Sequence, residues 1–193
     1  FKLVHILSGD TIRIYAVHLK ASTGATNEAQ RALEVDSLRK RTNALPPGSN
    51  FIVCGDFNIY NSTESSYVKL LQVNVNNEGH FIDPITMPGT WNNSIYSAFH
   101  TQSTRISAFG GGSTGGMDDR FDLILFSKAI SLSGGMTYVA NSTLPYGNDG
   151  NHYNDSINKM PNTAVSQAVA NALYNSSDHL PVIATFEFEN TSC

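Results

Sequence analysis

Five acidic, amide or imidazole side chains stand inside or at the ends of apolar runs that have the character of strands. They are Asp56, Asn58, Asp122, Asp178 and His179. A carboxylate beside an imidazole is suited to metal binding and to proton transfer. A polar side chain in a buried strand usually needs a partner, so these interruptions of apolar runs predict one shared site.

The apolar runs themselves predict the strands that position this site. Residues 51–55, 121–126 and 181–188 have the length and composition of buried strands. A turn at 8–10 between two alternating runs predicts a hairpin near the start of the chain. The sequence contains no repeat and no linker-like stretch, so it predicts a single domain over 1–193.

Helices are predicted between the strands. Asn27 and Gln30 have the spacing of a capping pair, and apolar residues then recur at helical spacing until the stop at 46–48. An Ala-rich stretch over 163–174 predicts a later helix. The Asn- and Gly-rich sequence that ends near Gly116 has few periodic signals, and much of it is expected to be loop.

Length and composition are those of an ordinary globular chain. Its 193 residues suit one sizeable core, with 40% hydrophobic and 15% charged residues. The formal net charge of -4 argues against a broad basic surface, so nucleic acid would have to be held by a local patch of Arg and Lys. Net charge therefore neither supports nor excludes a nucleic-acid substrate.

The two cysteines do not predict a disulfide. Cys54 falls in a predicted core strand and Cys193 is the last residue, which makes the geometry of a bridge unfavourable. Cysteine usage therefore leaves the cellular compartment open. No apolar run approaches the length of a membrane span, and residues 1–7 are too short and wrongly flanked for a signal peptide. We expect a soluble chain whose start is a truncation.

Four motifs follow one another along the chain: His18 in Val17-His18-Leu19-Lys20, the Gly55-Asp56-Phe57-Asn58 box, Asp122, and Ser177-Asp178-His179-Leu180-Pro181. Together, and in this order, they resemble the endonuclease/exonuclease/phosphatase superfamily, the DNase I-like proteins. The resemblance covers nearly the whole chain as the C-terminal portion of that fold. It implies an α+β fold, a four-layer α/β/β/α sandwich that lacks its N-terminal strands. The loops 110–120 and 147–152 are similar to those of secreted bacterial nucleases, which implies an extracellular DNase-like endonuclease.

The resemblance implies a role for each candidate in metal-dependent phosphodiester hydrolysis. Asp56 orients or deprotonates the attacking water, and Asn58 holds the phosphate. Both residues, together with Asp178, are the predicted metal ligands. Oxygen ligands of this kind suit Mg²⁺, with Mn²⁺ as an alternative.

The implied roles of the histidines depend on where their side chains point. Asp178 and His179 are adjacent, so in an extended chain Asp178 faces the metal and His179 the scissile phosphate. Asp122 then forms a hydrogen bond to His179, fixes its tautomer and favours its protonated form. His18, at the end of the second predicted strand, is the candidate general acid.

Simpler explanations exist for single residues. A lone histidine at a strand end, such as His18, is usually a surface residue or a satisfied core residue, and Asp56 alone could cap a turn. For Asp122 the simple explanation is weaker, because a carboxylate in an apolar strand needs a partner. The combination of motifs in family order favours the functional interpretation.

Two arginines and one acidic turn carry weaker predictions. Arg105 and Arg120 flank the Gly-rich loop, where they could touch substrate phosphates. Arg120 could instead pair with Asp118 or Asp119. Alternating oxygen side chains within 149–155 could bind Ca²⁺ as a structural ion, although an Asn-rich surface turn is the commoner explanation.

The chain departs from the family pattern at its start. In relatives, the first strands supply an Asn and a metal-anchoring Glu, which have no counterpart before Phe1, and Glu28 and Glu34 on the predicted helix do not replace them. We therefore expect a piece of a longer protein or a chain that binds metal poorly. An uncovered sheet edge would then predict a partner chain, self-association or marginal stability.

Substrate and class remain open between three functions. DNA is the leading substrate, and a phosphatase or phospholipase on the same scaffold is the second enzymatic possibility, because the fold does not choose among phosphoesters. A non-catalytic module with an incomplete metal site, which binds DNA, membrane or a protein, is the third.

Overall fold

The computed structural model describes residues 1–132 and 134–189. The strands are β1 Lys2–Val4, β2 Thr11–His18, β3 Asn50–Asp56, β4 Phe81–Ile82, β5 Asp122–Ser127, β6 Met136–Tyr138, β7 Leu144–Pro145, β8 Val182–Ile183 and β9 Phe186–Phe188. The helices are α1 Ala25–Thr42, α2 Ser65–Leu71 and α3 Gln167–Ser176, with 3-10 helices at Ser94–Phe99 and Lys128–Ser131. The predicted α+β class is confirmed.

A five-stranded mixed sheet with the order β1-β2-β3-β5-β4 forms the centre of the fold. β2 and β3 run parallel and are connected by α1, as the sequence pattern predicts, whereas β5 is antiparallel to β3. The register pairs His18 with Asp56 and Asp56 with Asp122. Three neighbouring strands therefore present these polar residues side by side at one end of the sheet.

Helices α1 and α2 cover one face of this sheet. Val35 of α1 and Leu70 of α2 are fully buried there and pack with Val53 of β3. A buried ion pair also ties the two helices together, because Arg31 Nε lies 2.6 Å from Glu64 Oε1 at the start of α2. The helical layer thus fixes β3, whose end carries Asp56.

The opposite face of the sheet is covered in part by short strands. Ile52 and Phe126 of the sheet pack there with Met136 of β6 and with the side chains of β9. Within the described ranges, this second strand layer consists of two pairs, β6 with β9 and β7 with β8. The single final strand predicted over 181–188 is wrong, because the chain changes pairing partner between β8 and β9.

Helix α3 packs against a small buried cluster next to the C-terminal motif. Its residue Leu173 lies against this cluster, which includes Ile157 and Leu180. Leu180 directly follows His179, so this cluster anchors the C-terminal motif from its apolar side. The packing therefore places the imidazole at the sheet end.

Two predicted helix starts are corrected by the structure. Gly24 is the N-cap of α1, so Asn27 is not the cap, and the Asn27 side chain donates to the Thr23 carbonyl at 2.8 Å. α3 begins at Gln167 rather than at 163, because Ser166 caps it with its hydroxyl. In both helices a residue with non-helical backbone angles sets the start.

The first strand lies at an edge of the sheet and exposes apolar side chains. Val4 is 57% exposed, and Ile6 in the following turn is 93% exposed. The predicted uncovered edge is present, and a partner for it remains a prediction.

The structure bears only in part on the predictions about a disulfide and a membrane span. Cys54 is half-buried on β3, and Cys193 lies outside the described residues, so the absence of a bridge between them remains a prediction. Among the helices of residues 1–132 and 134–189, none combines the length and apolar character needed to span a membrane.

Candidate active site

A cavity of about 450 Å³ opens at the end of the central sheet where β3 finishes and β5 starts. It collects all six residues that the sequence predicts as catalytic residues or metal ligands. They are His18, Asp56, Asn58, Asp122, Asp178 and His179. Residues that are up to 161 positions apart in sequence thus share one site.

The hydrogen bond predicted between Asp122 and His179 is present. His179 Nδ1 lies 2.7 Å from Asp122 Oδ2, and both side chains are about one-fifth exposed. Burial by itself lowers the pKa of His179, but the hydrogen bond and charge of Asp122, with the charges of Asp56 and Asp178, raise it overall. The imidazolium form is therefore favoured, with Nδ1 donating to Asp122.

The Asp56 carboxylate lies between two imidazoles. Its Oδ1 accepts a hydrogen bond from the backbone amide of Asn58 at 2.9 Å. Its Oδ2 lies 3.5 Å from His18 Nε2 and 3.9 Å from His179 Nε2. Burial raises the pKa of Asp56, and the charge of His179 reduces this rise. The His18 side chain is 75% exposed, so it stands at the rim of the site rather than in its wall.

Asn58 is turned into the cavity wall by its backbone. Its φ of 50° lies in the left-handed region, which Asn tolerates better than most residues. The side-chain amide donates to the Leu19 carbonyl at 3.2 Å, and the residue is only 5% exposed. These contacts fix Asn58 beside the end of β3.

Asp178 faces the Gly-rich loop, whereas His179 faces Asp122. Asp178 Oδ2 accepts a hydrogen bond from the Ser113 amide at 2.6 Å. The approach is so close that a Cβ on Gly112 would lie 2.8 Å from the carboxylate. The two neighbours therefore turn to different sides of the same cavity.

The described residues do not fit a complete magnesium site. No group of three or more His, Cys, Asp or Glu side chains in residues 1–132 and 134–189 is placed to hold a metal ion. Asp56 and Asp178 each use one oxygen on a backbone amide, and Asp122 accepts from His179. Mg²⁺ demands near-octahedral oxygen coordination. Asp56, Asn58 and Asp178 thus remain predicted ligands.

Arg105 holds the Gly-rich loop in place. Its guanidinium donates to the carbonyl oxygens of Tyr174 at 2.7 Å, Phe109 at 2.8 Å and Gly111 at 3.3 Å. The residue is only 5% exposed and lies over the rings of Phe109 and Tyr174. These contacts give the guanidinium a structural role, and its predicted contact with substrate phosphate stays a prediction.

Arg120 is also a structural residue. It forms a bidentate pair with Asp83, with distances of 2.8 and 2.9 Å, and both side chains are almost completely buried. The sequence offered two partners for Arg120, a substrate phosphate or one of the carboxylates of Asp118 and Asp119. Both predictions are wrong, because the buried guanidinium pairs with Asp83. A buried guanidinium needs a desolvated carboxylate partner, and Asp83 provides it.

The acidic turn over residues 149–155 follows the simpler interpretation. Asp149 accepts hydrogen bonds from the Asn151 amide at 3.0 Å and from the Thr163 amide at 2.8 Å. Asp155 pairs with Lys159. The carboxylates thus stabilise an Asn-rich turn, and within the described part of the chain they form no metal cluster for the suggested Ca²⁺.

The sequence interpretation missed one segment of the candidate site, residues 101–104. This segment lies between β5 and the 177–181 motif, where the Thr101 hydroxyl accepts from the backbone amide of Asp122 at 3.2 Å and the Thr104 backbone amide donates to the Asp178 carbonyl at 3.1 Å. The intervening Gln102 lines the cavity. The only sequence signal is a run of short polar residues, which lacks the periodicity of a strand.

Comparison with known proteins identifies the fold. No protein-family model matches the chain, and no curated protein sequence matches it. It is similar to D. rerio TDP2 complexed with a single-strand DNA product, with a TM-score of 0.52 and 16% identity over 93% of this chain and 58% of that chain. This similarity confirms the DNase I-like α+β fold.

Two further solved structures align less closely. The human Nocturnin catalytic domain with bound sulfate gives a TM-score of 0.46 and 21% identity, covering 97% of this chain and 51% of that chain. The Bacteroides thetaiotaomicron mannosyl-6-phosphatase gives 0.43 and 15%, covering 94% and 53%. The chain thus spans between half and three-fifths of the length of these three structures.

Proposed function

We propose that this site hydrolyses phosphoesters, with His179 as its central residue. The proposal rests on the hydrogen bond between His179 and Asp122, inside a cavity that also contains Asp56 and is bordered by His18. An imidazole fixed by a carboxylate and facing a second carboxylate is an acid and base arrangement of the kind that hydrolysis requires. The DNase I-like fold supports the same reaction class.

Each side chain has a distinct role in the proposed reaction. Protonated His179 donates to a phosphoryl oxygen from Nε2 and stabilises the charge that develops there. Asp56 orients the attacking water and accepts its proton through the oxygen that is not held by the Asn58 amide. His18, exposed at the rim, can supply a proton to the leaving oxygen and exchange it with solvent.

We further propose DNA phosphodiesters as the substrate and an extracellular endonuclease as the full protein. The loops 110–120 and 147–152 resemble those of secreted bacterial nucleases, and the TDP2 structure that shares this fold holds a single-strand DNA product. Mg²⁺ or Mn²⁺ is the proposed cofactor. Because the described donors do not complete a metal site, the metal requirement rests on the family resemblance.

A phosphatase is the second candidate. Polymer binding relies on Lys and Arg contacts to phosphates. The cavity lining among the described residues contains neither, and both arginines near the Gly-rich loop are buried. This observation favours a small phosphoester over a long duplex. A phospholipase would need an exposed apolar surface beside the cavity, and a binding module would bind DNA without cleaving it.

The test is cleavage by the chain as it stands. Supercoiled plasmid, a nitrophenyl phosphate monoester and a dispersed phospholipid are each incubated with Mg²⁺, with Mn²⁺ and with chelator, beside His179→Ala. We expect metal-dependent nicking of plasmid that the variant loses. Faster cleavage of the monoester would select the phosphatase. Plasmid binding with no cleavage of any substrate would contradict an enzyme and select the binding module.

Self-association or a partner chain is proposed for the β1 edge. Leu3 and Val4 are 49% and 57% exposed there, and an edge strand offers unpaired backbone groups. Sedimentation velocity over a range of concentrations is expected to show assembly. A monomer of ordinary stability at every concentration would contradict it.

A further inference from the structure

Gln102 is fixed in the cavity by its backbone. Its amide donates to the Asp119 carbonyl at 3.1 Å, and its own carbonyl accepts from Asp118 at 2.8 Å and Asp119 at 3.0 Å. An isolated β-bridge also joins Gln102 to His179. The backbone therefore holds this side chain next to the catalytic imidazole.

The Gln102 side chain meets the reactive nitrogen of His179. Its Nε2 lies 2.5 Å from His179 Nε2. As placed, the NH₂ group of Gln102 can donate to Nε2 of a neutral His179. Beside the imidazolium form that Asp122 favours, the terminal amide must turn over, so that its carbonyl oxygen accepts from the ring N–H. In the free protein the Gln102 amide thus occupies the position that a phosphoryl oxygen takes in the proposed reaction.

The negative charge around the cavity favours an uncharged hydrogen-bond donor for binding an anionic substrate. Asp56, Asp122 and Asp178 line it, and its described lining contains no Lys or Arg. An anionic substrate needs donors that bring no further negative charge. Of the two amide side chains in the lining, that of Asn58 already donates to the Leu19 carbonyl. The amide of Gln102 contacts the His179 ring, from which substrate can displace it.

We propose that Gln102 binds a non-bridging phosphoryl oxygen of the substrate beside His179, and that its amide holds the place of this oxygen in the free protein. The inference rests on the proposed phosphoester hydrolysis and adds a substrate contact to it. On binding, the amide turns from the ring to the phosphoryl group, and its N–H donates to the oxygen. Gln102 is thus a catalytic residue that touches the substrate.

The test compares three variants on the substrate that the chain cleaves. Gln102→Leu removes the donor and should lower kcat/KM by about 10-fold, since a hydrogen bond to a charged group has this value. Gln102→Glu keeps the shape and should lower it by about 100-fold, because a carboxylate repels the phosphoryl oxygens. Gln30→Leu, on the exposed side of α1, is the matched control and should leave it unchanged.

The order of the two Gln102 variants separates substrate contact from positioning. If Gln102 only oriented His179, Glu would still accept from the ring, and Gln102→Glu would be the more active variant. That order would overturn the proposal. In the expected order, kcat/KM falls from wild type to Gln102→Leu and further to Gln102→Glu.

A binding measurement keeps the inference separate from the proposed function. Inorganic phosphate is titrated into the ¹⁵N-labelled chain, and the Gln102 side-chain amide signals are followed by NMR. We expect saturable shifts and an about 10-fold weaker Kd in Gln102→Leu. Unmoved signals or an unchanged Kd would overturn the role of Gln102. A chain that binds phosphate through Gln102 but cleaves no phosphoester would refute only the proposed hydrolysis.

Discussion

His179 Nδ1 lies 2.7 Å from Asp122 Oδ2, although the two residues are 57 positions apart in sequence. Asp122 stands in register with Asp56 on the neighbouring strand, whose carboxylate lies 3.9 Å from the other ring nitrogen. One imidazole is therefore held by one carboxylate and faces a second. Strand pairing sets this geometry, so it survives only as long as β3 and β5 keep their register.

Asp122→Asn should lower hydrolysis by about 100-fold or more, the usual contribution of positioned acid or base catalysis. Burial lowers the pKa of His179, and the carboxylates of Asp122, Asp56 and Asp178 raise it above its ordinary value. A protonated His179 acts as donor, so kcat/KM should fall as pH rises through this raised pKa. Loss of the Asp122 charge should move that fall to lower pH.

The measurement is the pH dependence of kcat/KM for wild type and Asp122→Asn, with circular dichroism to show that both are folded. A high-pH limb at the same position in both proteins would contradict the assignment. A fall of kcat/KM that moves to higher pH in Asp122→Asn would also contradict it.

Gly112→Ala should disturb the active site, whereas Gly111→Ala should not. Both glycines have positive φ, 84° and 92°, so each substitution should cost about 1 kcal/mol of folding free energy. Only the new methyl at 112 meets the Asp178 carboxylate, at 2.8 Å, while the one at 111 has no neighbour within 4 Å. Asp178 must then shift, and activity should fall about tenfold in Gly112→Ala alone.

Steady-state kinetics and thermal unfolding of the two glycine variants separate these effects. Equal losses of activity would show that loop strain, and not the position of Asp178, controls the site. The expected outcome is a loss of stability in both variants, somewhat larger in Gly112→Ala, with a loss of activity in Gly112→Ala alone.

The strand ends could be predicted from sequence because apolar runs stop at polar residues there. β3 and β5 carry Asp56 and Asp122 where the pattern places them, and the Asp122 contact with His179 follows from the need of a strand carboxylate for a partner. The order of the motifs along the chain, which resembles that of a known family, indicated that Asp122 would pair with His179. The sequence alone gives no distance between these groups.

Gln102 and the two arginines were beyond sequence reasoning for a physical reason. The segment that holds Gln102 pairs by isolated bridges, which leave no period in the sequence. Arg120 finds Asp83, which is 37 positions away, and Arg105 finds backbone carbonyls, which no residue pattern marks. Burial of a charged side chain is decided by tertiary packing, and the type of the residue alone predicts exposure.

Asp83→Asn should strongly destabilise the fold, because it leaves the Arg120 guanidinium buried without a countercharge. Arg120 and Asp83 side chains are 2% and 3% exposed, and breaking a pair of this kind costs about 3–5 kcal/mol. Asp36→Asn is the control, since Asp36 and Lys69 form an exposed pair worth about 1 kcal/mol or less. Urea unfolding measures both variants. Equal changes in the free energy of unfolding would contradict the structural role of Arg120.

Asp119→Asn should stabilise the protein at high pH and have little effect at low pH. Burial and the neighbouring charge of Asp118 raise the pKa of Asp119 to about 7 from its ordinary 3.8, and its buried Oδ1 has no hydrogen-bond partner among the described residues. Between these two pKa values the folded chain holds a proton that the unfolded chain has released. The free energy of unfolding therefore falls as pH rises through this window and stays lowered above it.

An asparagine at this position has no charge to bury, so the variant removes the pH-dependent loss. One pKa unit corresponds to about 1.4 kcal/mol, and partial exposure of Asp119 reduces the full effect, so we expect a gain of roughly 1–3 kcal/mol at about pH 8. Urea unfolding near pH 4 and near pH 8 measures it, with Asp36→Asn as an exposed control that should show no such gain. A stabilisation that is the same at both pH values would show that Asp119 is ionised in the folded protein throughout.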